Sequence, residues 1–207
     1  MLVRHYATLG ALAILSLPLF AAGCSDDEKA TPQAIFGEAV YSQTSEPLDP
    51  DQKNCNESGE IFTVGKFGNP AFDPPVPSEP KKDGDSDGQG GVGVGCSVKS
   101  KDANTFTVSA SLRVTGANGG TFVITGDVGS TCDPNNPCKG VKATWGKNSG
   151  IIFQTPKSDC IVRYTTPFQG VAAGRIWGEI ECPKVTNAEA GFACKAVAQF
   201  RFENCDQ

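Results

Sequence analysis

The residues best suited to acid–base or ligand chemistry are two carboxylates and an indole near the C-terminus. Trp177, Glu179 and Glu181 occupy alternate positions, so on a β-strand their side chains lie on one face. The two carboxylates would then be about 6.5–7 Å apart at Cα, a spacing that glycosidase acid/base pairs also use. The same pattern is typical of a solvent-facing strand surface, with Arg175 or Lys195 as charge partners. We favour that interpretation, with a glycan-contact patch as the alternative and a carboxylate-only hydrolase as a more distant one.

A second group of carboxylates has the spacing of a calcium ligand set. Asp83, Asp85 and Asp87 alternate ahead of Gly88 and match the first half of an EF-hand loop. The second half does not match, because Val94 stands where the loop needs a bidentate glutamate. Two interpretations stay open, a solvated acidic linker, which we favour, and a weak calcium site. No other cofactor is predicted.

Nine cysteines indicate an oxidising compartment. Cys24 ends an apolar N-terminal run, and the other eight form an even set that predicts up to four disulfides in an exported chain. Cys132 and Cys138 bracket a proline-rich turn, so we expect a local bridge between them rather than a zinc or redox site.

The remaining pairs depend on how the strands adjoin. If segments 171–182 and 194–204 pair as antiparallel neighbours, Cys182 ends one strand where Cys194 begins the next, within the distance that a disulfide accepts. We therefore predict a Cys182–Cys194 bridge. The first and last strands of a closed sandwich often adjoin, which favours the two remaining pairs Cys96–Cys205 and Cys55–Cys160.

Histidine chemistry is almost excluded by composition. The single histidine, His5, lies in the N-terminal run, so the rest of the chain holds no Ser-His-Asp triad, no His-ligated zinc and no His-ligated haem. The net charge of −5 argues against nucleic acid and against electrostatic binding to anionic headgroups. We predict a protein that is not an enzyme and does not bind nucleic acid.

Alternating hydrophobicity predicts the fold class. In the clearest strand, Phe106, Val108, Ala110, Leu112 and Val114 share one face, with polar residues between them. About eight such short strands at near-regular spacing, in a chain with 24 Gly and 14 Pro, predict an all-β fold. The expected architecture is a single antiparallel β-sandwich or small barrel, held by disulfides.

Composition also divides the chain into segments. Polar residues 24–59 predict a disordered tether with one candidate strand at 34–42. Residues 60–207 form the predicted β-domain, and residues 65–91 form a Pro/Gly/Asp-rich excursion from it.

The N-terminal residues 1–23 have the pattern of an export signal. They contain no acidic residue, Arg4 precedes the apolar run, and the run at 6–20 is too short to span a bilayer. The run ends in Ala21-Ala22-Gly23-Cys24, which resembles the lipobox of bacterial lipoprotein precursors. That resemblance implies cleavage before Cys24, acylation of Cys24 and a membrane anchor made of its acyl chains. Ser25 follows Cys24 where aspartate would signal inner-membrane retention, which favours the outer membrane.

The general plan is also similar to that of the 19-kilodalton-type lipoprotein antigens of mycobacteria. Both have a lipobox, a polar tether, a β-domain and cysteines near the first and last strands, here Cys96 and Cys205. Neither resemblance implies a catalytic residue. We therefore predict a non-enzymatic, lipid-anchored cell-envelope protein with a structural or interaction role, whose protein or glycan partner is open. A glycan- or calcium-binding β-module is the alternative.

Overall fold

The computed structural model describes residues 35–43, 59–68, 78–148, 150, 152–155, 157, 159–187 and 191–207. All of them belong to one compact unit, Gln33–Gln207. Within these ranges the secondary structure is entirely β, and no helix has the length and hydropathy needed to cross a membrane.

The described residues form twelve β-strands, and the predicted all-β class is therefore confirmed. In chain order the strands are β1 Phe36–Gln43, β2 Gly59–Val64, β3 Lys81–Lys82, β4 Val92–Ser100, β5 Thr105–Val114, β6 Gly120–Gly129, β7 Cys138–Lys147, β8 Ile152–Gln154, β9 Cys160–Arg163, β10 Gly170–Ala172, β11 Arg175–Asn187 and β12 Phe192–Glu203.

All strands belong to one antiparallel hydrogen-bonded sheet. Its order is β2-β1-β12-β11-β8-β7-β6-β5-β4, with β3 beside β1, β10 beside β11, and β9 between β11 and β7. From β4 to β7 each strand pairs with the next along the chain, as expected where short turns connect neighbours. The first and last described strands, β1 and β12, pair with each other.

The sheet folds over on itself around one apolar core. Along β5 the residues Val108, Ala110, Leu112 and Val114 are at most 2% exposed, which confirms the predicted face. Rings from strands that are not hydrogen-bonded to each other meet in this core: the Tyr41 and Trp145 centroids are 4.5 Å apart. Three strands separate β1 from β7 in the sheet order, so this contact requires the sheet to bend around the core.

Strand β1 corrects the predicted domain boundary. Residues 34–42 were expected to lie in the tether, with the domain beginning at residue 60. Instead β1 lies between β2 and β12 and pairs with β12 along its whole length, from Phe36 opposite Glu203 to Gln43 opposite Ala196. The domain therefore includes β1. Residues 24–34 and 44–58 of the predicted tether lie outside the described residues.

The predicted excursion 65–91 is ordered wherever the structure describes it. Lys66 and Glu79 form an antiparallel bridge, with backbone N–H···O distances of 3.1 and 2.8 Å. Strand β3 then adds to the Phe36 end of β1. Both contacts place the described part of this segment against the sheet. Residues 69–77 lie outside the described residues.

Two predicted disulfides are confirmed and two are wrong. Cys96–Cys205 and Cys132–Cys138 are present. Cys182 is bonded to Cys160, not to Cys194, with Cα atoms 4.2 Å apart, and this bond also excludes the expected Cys55–Cys160 pair.

The Cys182 error has a simple geometric cause. Strand β11 does not end at residue 182 but continues through a bulge between Cys182 and Val185, so Cys182 faces Ala196 and Cys194 faces Val185. On the other side of β11, Glu181 pairs with Ile161 of β9, so the next antiparallel pair in that register is Cys182 with Cys160.

The seventh described cysteine, Cys194, is also disulfide-bonded. The other six described cysteines are bonded to one another, so its partner lies outside the described residues. Cys24 and Cys55 are the two cysteines there.

Candidate functional site

The outer face is the side of β1, β12, β11 and β9 that points away from the core. Trp177, Glu179 and Glu181 all lie on it, as predicted, because the alternate residues Ile176 and Ile180 are at most 2% exposed in the core. The strand register aligns outer-face side chains in three rows: Glu38, Arg201 and Trp177; Val40, Gln199, Glu179 and Arg163; Ser42, Val197 and Glu181.

Glu181 is held by two cations. Its carboxylate lies 2.6 Å from Nη1 of Arg163 and 2.8 Å from Nζ of Lys195. Hydrogen bonds from Lys195 and then Arg163 hold the pKa of Glu181 below its usual value. A general acid needs the opposite, a raised pKa, so this carboxyl is not poised for proton donation.

Glu179, the second member of the pair, has a different environment. Its Oε1 accepts a hydrogen bond of 2.8 Å from the Thr165 hydroxyl, which also lies 3.1 Å from Oε1 of Gln169. Within the described residues, Oε2 of Glu179 has no hydrogen-bond partner. Glu179 therefore keeps one acceptor available on the outer face.

The indole of Trp177 contacts another side chain of the domain. The guanidinium of Arg201 lies 5.0 Å from the centroid of the indole, in cation–π contact with it. The indole N–H is buried and has no partner among the described residues. The predicted patch of Trp177, Glu179 and Glu181 is thus on one face, but its indole is covered by Arg201 rather than open to a ligand.

A buried carboxylate in the same row was not predicted. Glu38 is 0% exposed although it points away from the core, because Gly65 and Ser78 lie against it: a Cβ at Gly65 would lie 2.8 Å from Cβ of Glu38. The Ser78 hydroxyl lies 3.0 Å from both carboxylate oxygens, and Nη1 of Arg201 lies 3.5 Å away. No local pattern marks Glu38, since Ser78 is 40 residues away along the chain.

The pH dependence of stability should reveal Glu38. Burial raises its pKa above the ordinary 4.5, and Ser78 and Arg201 only partly oppose this. Between pH 4.5 and the raised pKa the native state binds more protons than the unfolded state. The stabilisation that protonated Glu38 contributes is therefore fully present at low pH and is lost as the pH rises through the raised pKa. We expect Glu38→Gln to remove this decline, measured as the free energy of urea unfolding from pH 4.5 to 7.5.

The exposed Glu79→Gln is the matched control, because its side chain is 61% exposed in the same segment. It should leave the wild-type slope unchanged. A Glu38→Gln profile parallel to that of the wild type would contradict the burial argument.

A groove of about 560 Å³ runs beside Glu179 on the outer face. The residues after β2 form one wall and the paired strands form its floor. The lining side chains that bear on ligand binding are Val40, Phe67, Arg163, Glu179, Glu181 and Gln199. Trp177 is not among the described residues that line the groove. Phe67 and Gln199 could not be found from the sequence, because neither belongs to the alternating carboxylate motif.

The structure does not bring the predicted calcium ligands together. Asp83 accepts from the backbone N–H of Val94 at 2.9 Å, and Asp85 accepts from that of Lys82 at 2.8 Å. Asp87 closes its own turn by accepting from Gln89 at 2.9 Å. Among the described residues, no group of three or more metal-ligating side chains converges. These carboxylates stabilise turns at the start of β4.

The outer face thus carries a polar groove next to the ion pair of Glu38 and Arg201. The predicted calcium ligands Asp83, Asp85 and Asp87 instead hold local turns. Comparisons with protein-family models, with curated proteins and with solved structures find no match to this chain.

Proposed function

We propose that this protein is a lipid-anchored cell-envelope protein, attached through Cys24, that presents its β-domain in a structural or interaction role without catalysing a reaction. The export-signal pattern and the small residues before Cys24 support the anchor. The outer membrane is the favoured location, because Ser25 rather than aspartate follows Cys24.

The observation that carries this proposal is the cysteine count. Six described cysteines are bonded in pairs, and Cys194 is bonded to a cysteine outside the described residues. Of Cys24 and Cys55, one therefore bridges Cys194 and the other is left over. Acylation of Cys24 accounts for the leftover cysteine and assigns Cys55 to Cys194.

The position of β1 limits the distance between the lipid anchor at Cys24 and the start of the sheet. Eleven residues separate Cys24 from Phe36, where the sheet begins. A fully extended chain spans at most about 3.3–3.6 Å per residue, so the sheet begins within roughly 40 Å of the acylated cysteine. The domain would work close to the membrane surface.

The environments of two carboxylates, Glu181 and Glu38, support a non-catalytic role. Glu181 is fixed by two cations with a lowered pKa, and Glu38 is fully enclosed. A carboxylate hydrolase needs one acid with a raised pKa facing an accessible second carboxylate. Glu38 has a raised pKa but is enclosed, and Glu181 is partly exposed but has a lowered pKa, so neither residue meets both requirements.

The anchor is tested with two cysteine variants. We expect wild-type protein to partition with detergent, and Cys24→Ala to remain an uncleaved, unacylated precursor. Cys55→Ala should keep the anchor but expose one free thiol, that of Cys194, when the unfolded, non-reduced protein is titrated.

The opposite thiol result would contradict the assignment. If Cys24 were the partner of Cys194, Cys24→Ala would expose a thiol and Cys55→Ala would not. An unmodified mature N-terminus in the mass spectrum would likewise refute the anchor.

A further inference from the structure

We propose that the outer-face groove is a binding site for a neutral oligosaccharide. The described residues that line the groove lie on strands and directly after β2, and binding there requires neither Cys24 nor its acylation. This inference is therefore independent of the anchor. Its volume of about 560 Å³ is within the range of about 300–1,000 Å³ that small-ligand sites occupy.

Most charged groups around the groove are already paired, and Glu179 is the exception among the described lining residues. Glu181 is bonded to Arg163 and Lys195, and Lys66 pairs with Glu79 at 3.5 Å. An anionic ligand would have to displace one of these partners and would also meet the carboxylate of Glu179, which has no cation partner among the described residues. The groove therefore disfavours acidic ligands, whereas a neutral ligand leaves its ion pairs intact.

The uncommitted polar groups suit hydroxyl groups. Glu179 and Gln199 are directly opposed on β11 and β12, so their Cβ atoms are about 4.5–5.5 Å apart. The amide of Gln199 offers both a donor and an acceptor, and Oε2 of Glu179 accepts strongly from O–H. Adjacent hydroxyls of a sugar ring, each both donor and acceptor, match this pair.

Apolar surface lies beside these polar groups. Val197 is 45% exposed on the outer face of β12. Val40 lies one row away on the neighbouring strand, and Phe67 lines the opposite wall. Sugar rings present C–H faces next to their hydroxyls and would cover this apolar surface while bonding to Glu179 and Gln199.

The backbone argues against an extended peptide. A peptide gains most when it adds to an open sheet edge, where main-chain groups are unpaired. The groove floor is formed by β1, β12 and β11, which are all internal strands paired on both sides. Recognition here depends on side chains alone.

In the test, the full chain is held in detergent micelles and its binding to four probes is measured by calorimetry and by saturation-transfer NMR. Cellotetraose and chitotetraose are the neutral probes, and tetragalacturonic acid and an amidated tetra-alanine are the charged and peptide probes. We expect at least one neutral tetrasaccharide to bind at millimolar or lower concentration. Gln199→Ala and Glu179→Gln should each weaken it about tenfold, from the loss of one charge-assisted or neutral hydrogen bond.

Matched controls separate the groove from general effects. Gln154→Ala, an exposed glutamine on β8, and Asp127→Asn, on β6, should bind like the wild type. Phe67→Ala keeps both polar side chains and the sheet, and should also weaken binding. Unfolding midpoints show that each variant is folded.

The proposal is overturned if neither neutral probe binds at millimolar concentration, if the groove variants bind like the wild type, or if the acidic or peptide probe binds more tightly at the same residues. Cys24→Ala should bind the sugar unchanged. A failed anchor and a failed sugar site are therefore distinguishable.

Discussion

Replacing Cys96 and Cys205 together by alanine is expected to lower the free energy of unfolding by about 4 to 5 kcal/mol. The two residues are 109 positions apart, so their bond closes a very long loop and removes much conformational freedom from the unfolded chain. The fluorescence of Trp145, which is 1% exposed, reports the transition during urea unfolding.

Removing the bond should also weaken contacts in the native state, because the bond attaches the C-terminal segment to the edge strand β4. Beside it, Asp206 N–H donates to Cys96 O at 3.0 Å and Val98 N–H donates to Asp206 O at 2.8 Å. Without the disulfide, these hydrogen bonds and those of Gly174 with Val98 and Cys205 would still hold residues 204–207 near that edge.

The Cys132–Cys138 bond is the internal control. It spans 6 positions, so its removal should cost only about 2 kcal/mol by the same argument. Equal losses in the two double variants would contradict the loop-entropy account and indicate that local contacts dominate both effects.

Tyr41→Ala is expected to cost about 3 to 5 kcal/mol of stability. Tyr41 is 1% exposed, contacts the Trp145 ring at 4.5 Å between centroids, and donates its buried hydroxyl to Gln43 at 3.0 Å. The truncation leaves a cavity between β1 and β7 and removes the hydrogen bond to Gln43. The shift in the urea midpoint at constant slope measures the loss.

Ser42→Ala is the matched control on the same strand, with its side chain on the outer face. A surface substitution of this kind changes stability by about 0.5 kcal/mol or less. If both variants were equally mild, residues 36–43 would behave as a tether rather than as a strand of the domain.

Local patterns were enough for the fold class and for which side of a strand each residue occupies. The alternation in β5 and in Trp177, Glu179 and Glu181 predicted the observed faces, because side-chain direction in a strand depends only on position within it. The Cys132–Cys138 bond was also predictable, since its two ends are joined by one short turn.

The errors arose where the answer depended on distant partners. The segment 34–42 was predicted only as an isolated strand inside a polar tether, and its contacts with β2, β12 and the buried ring of Trp145 make it a central strand of the domain. Asp83, Asp85 and Asp87 had the spacing of ligands, but the nearest backbone N–H groups determined where each carboxylate points.

The sequence by itself determined that this chain is an antiparallel β protein with bonded cysteines and charged residues on its outer strand faces. Only the tertiary structure decided that Cys182 pairs with Cys160, that Glu38 is buried by Ser78 and Gly65, and that Glu179 and Gln199 share a groove. The physical reason is that period-two alternation is a local property of a strand. Register, bulges and the order of strands follow from contacts between residues as far apart as Phe36 and Glu203, and the alternation of a single strand carries no information about them.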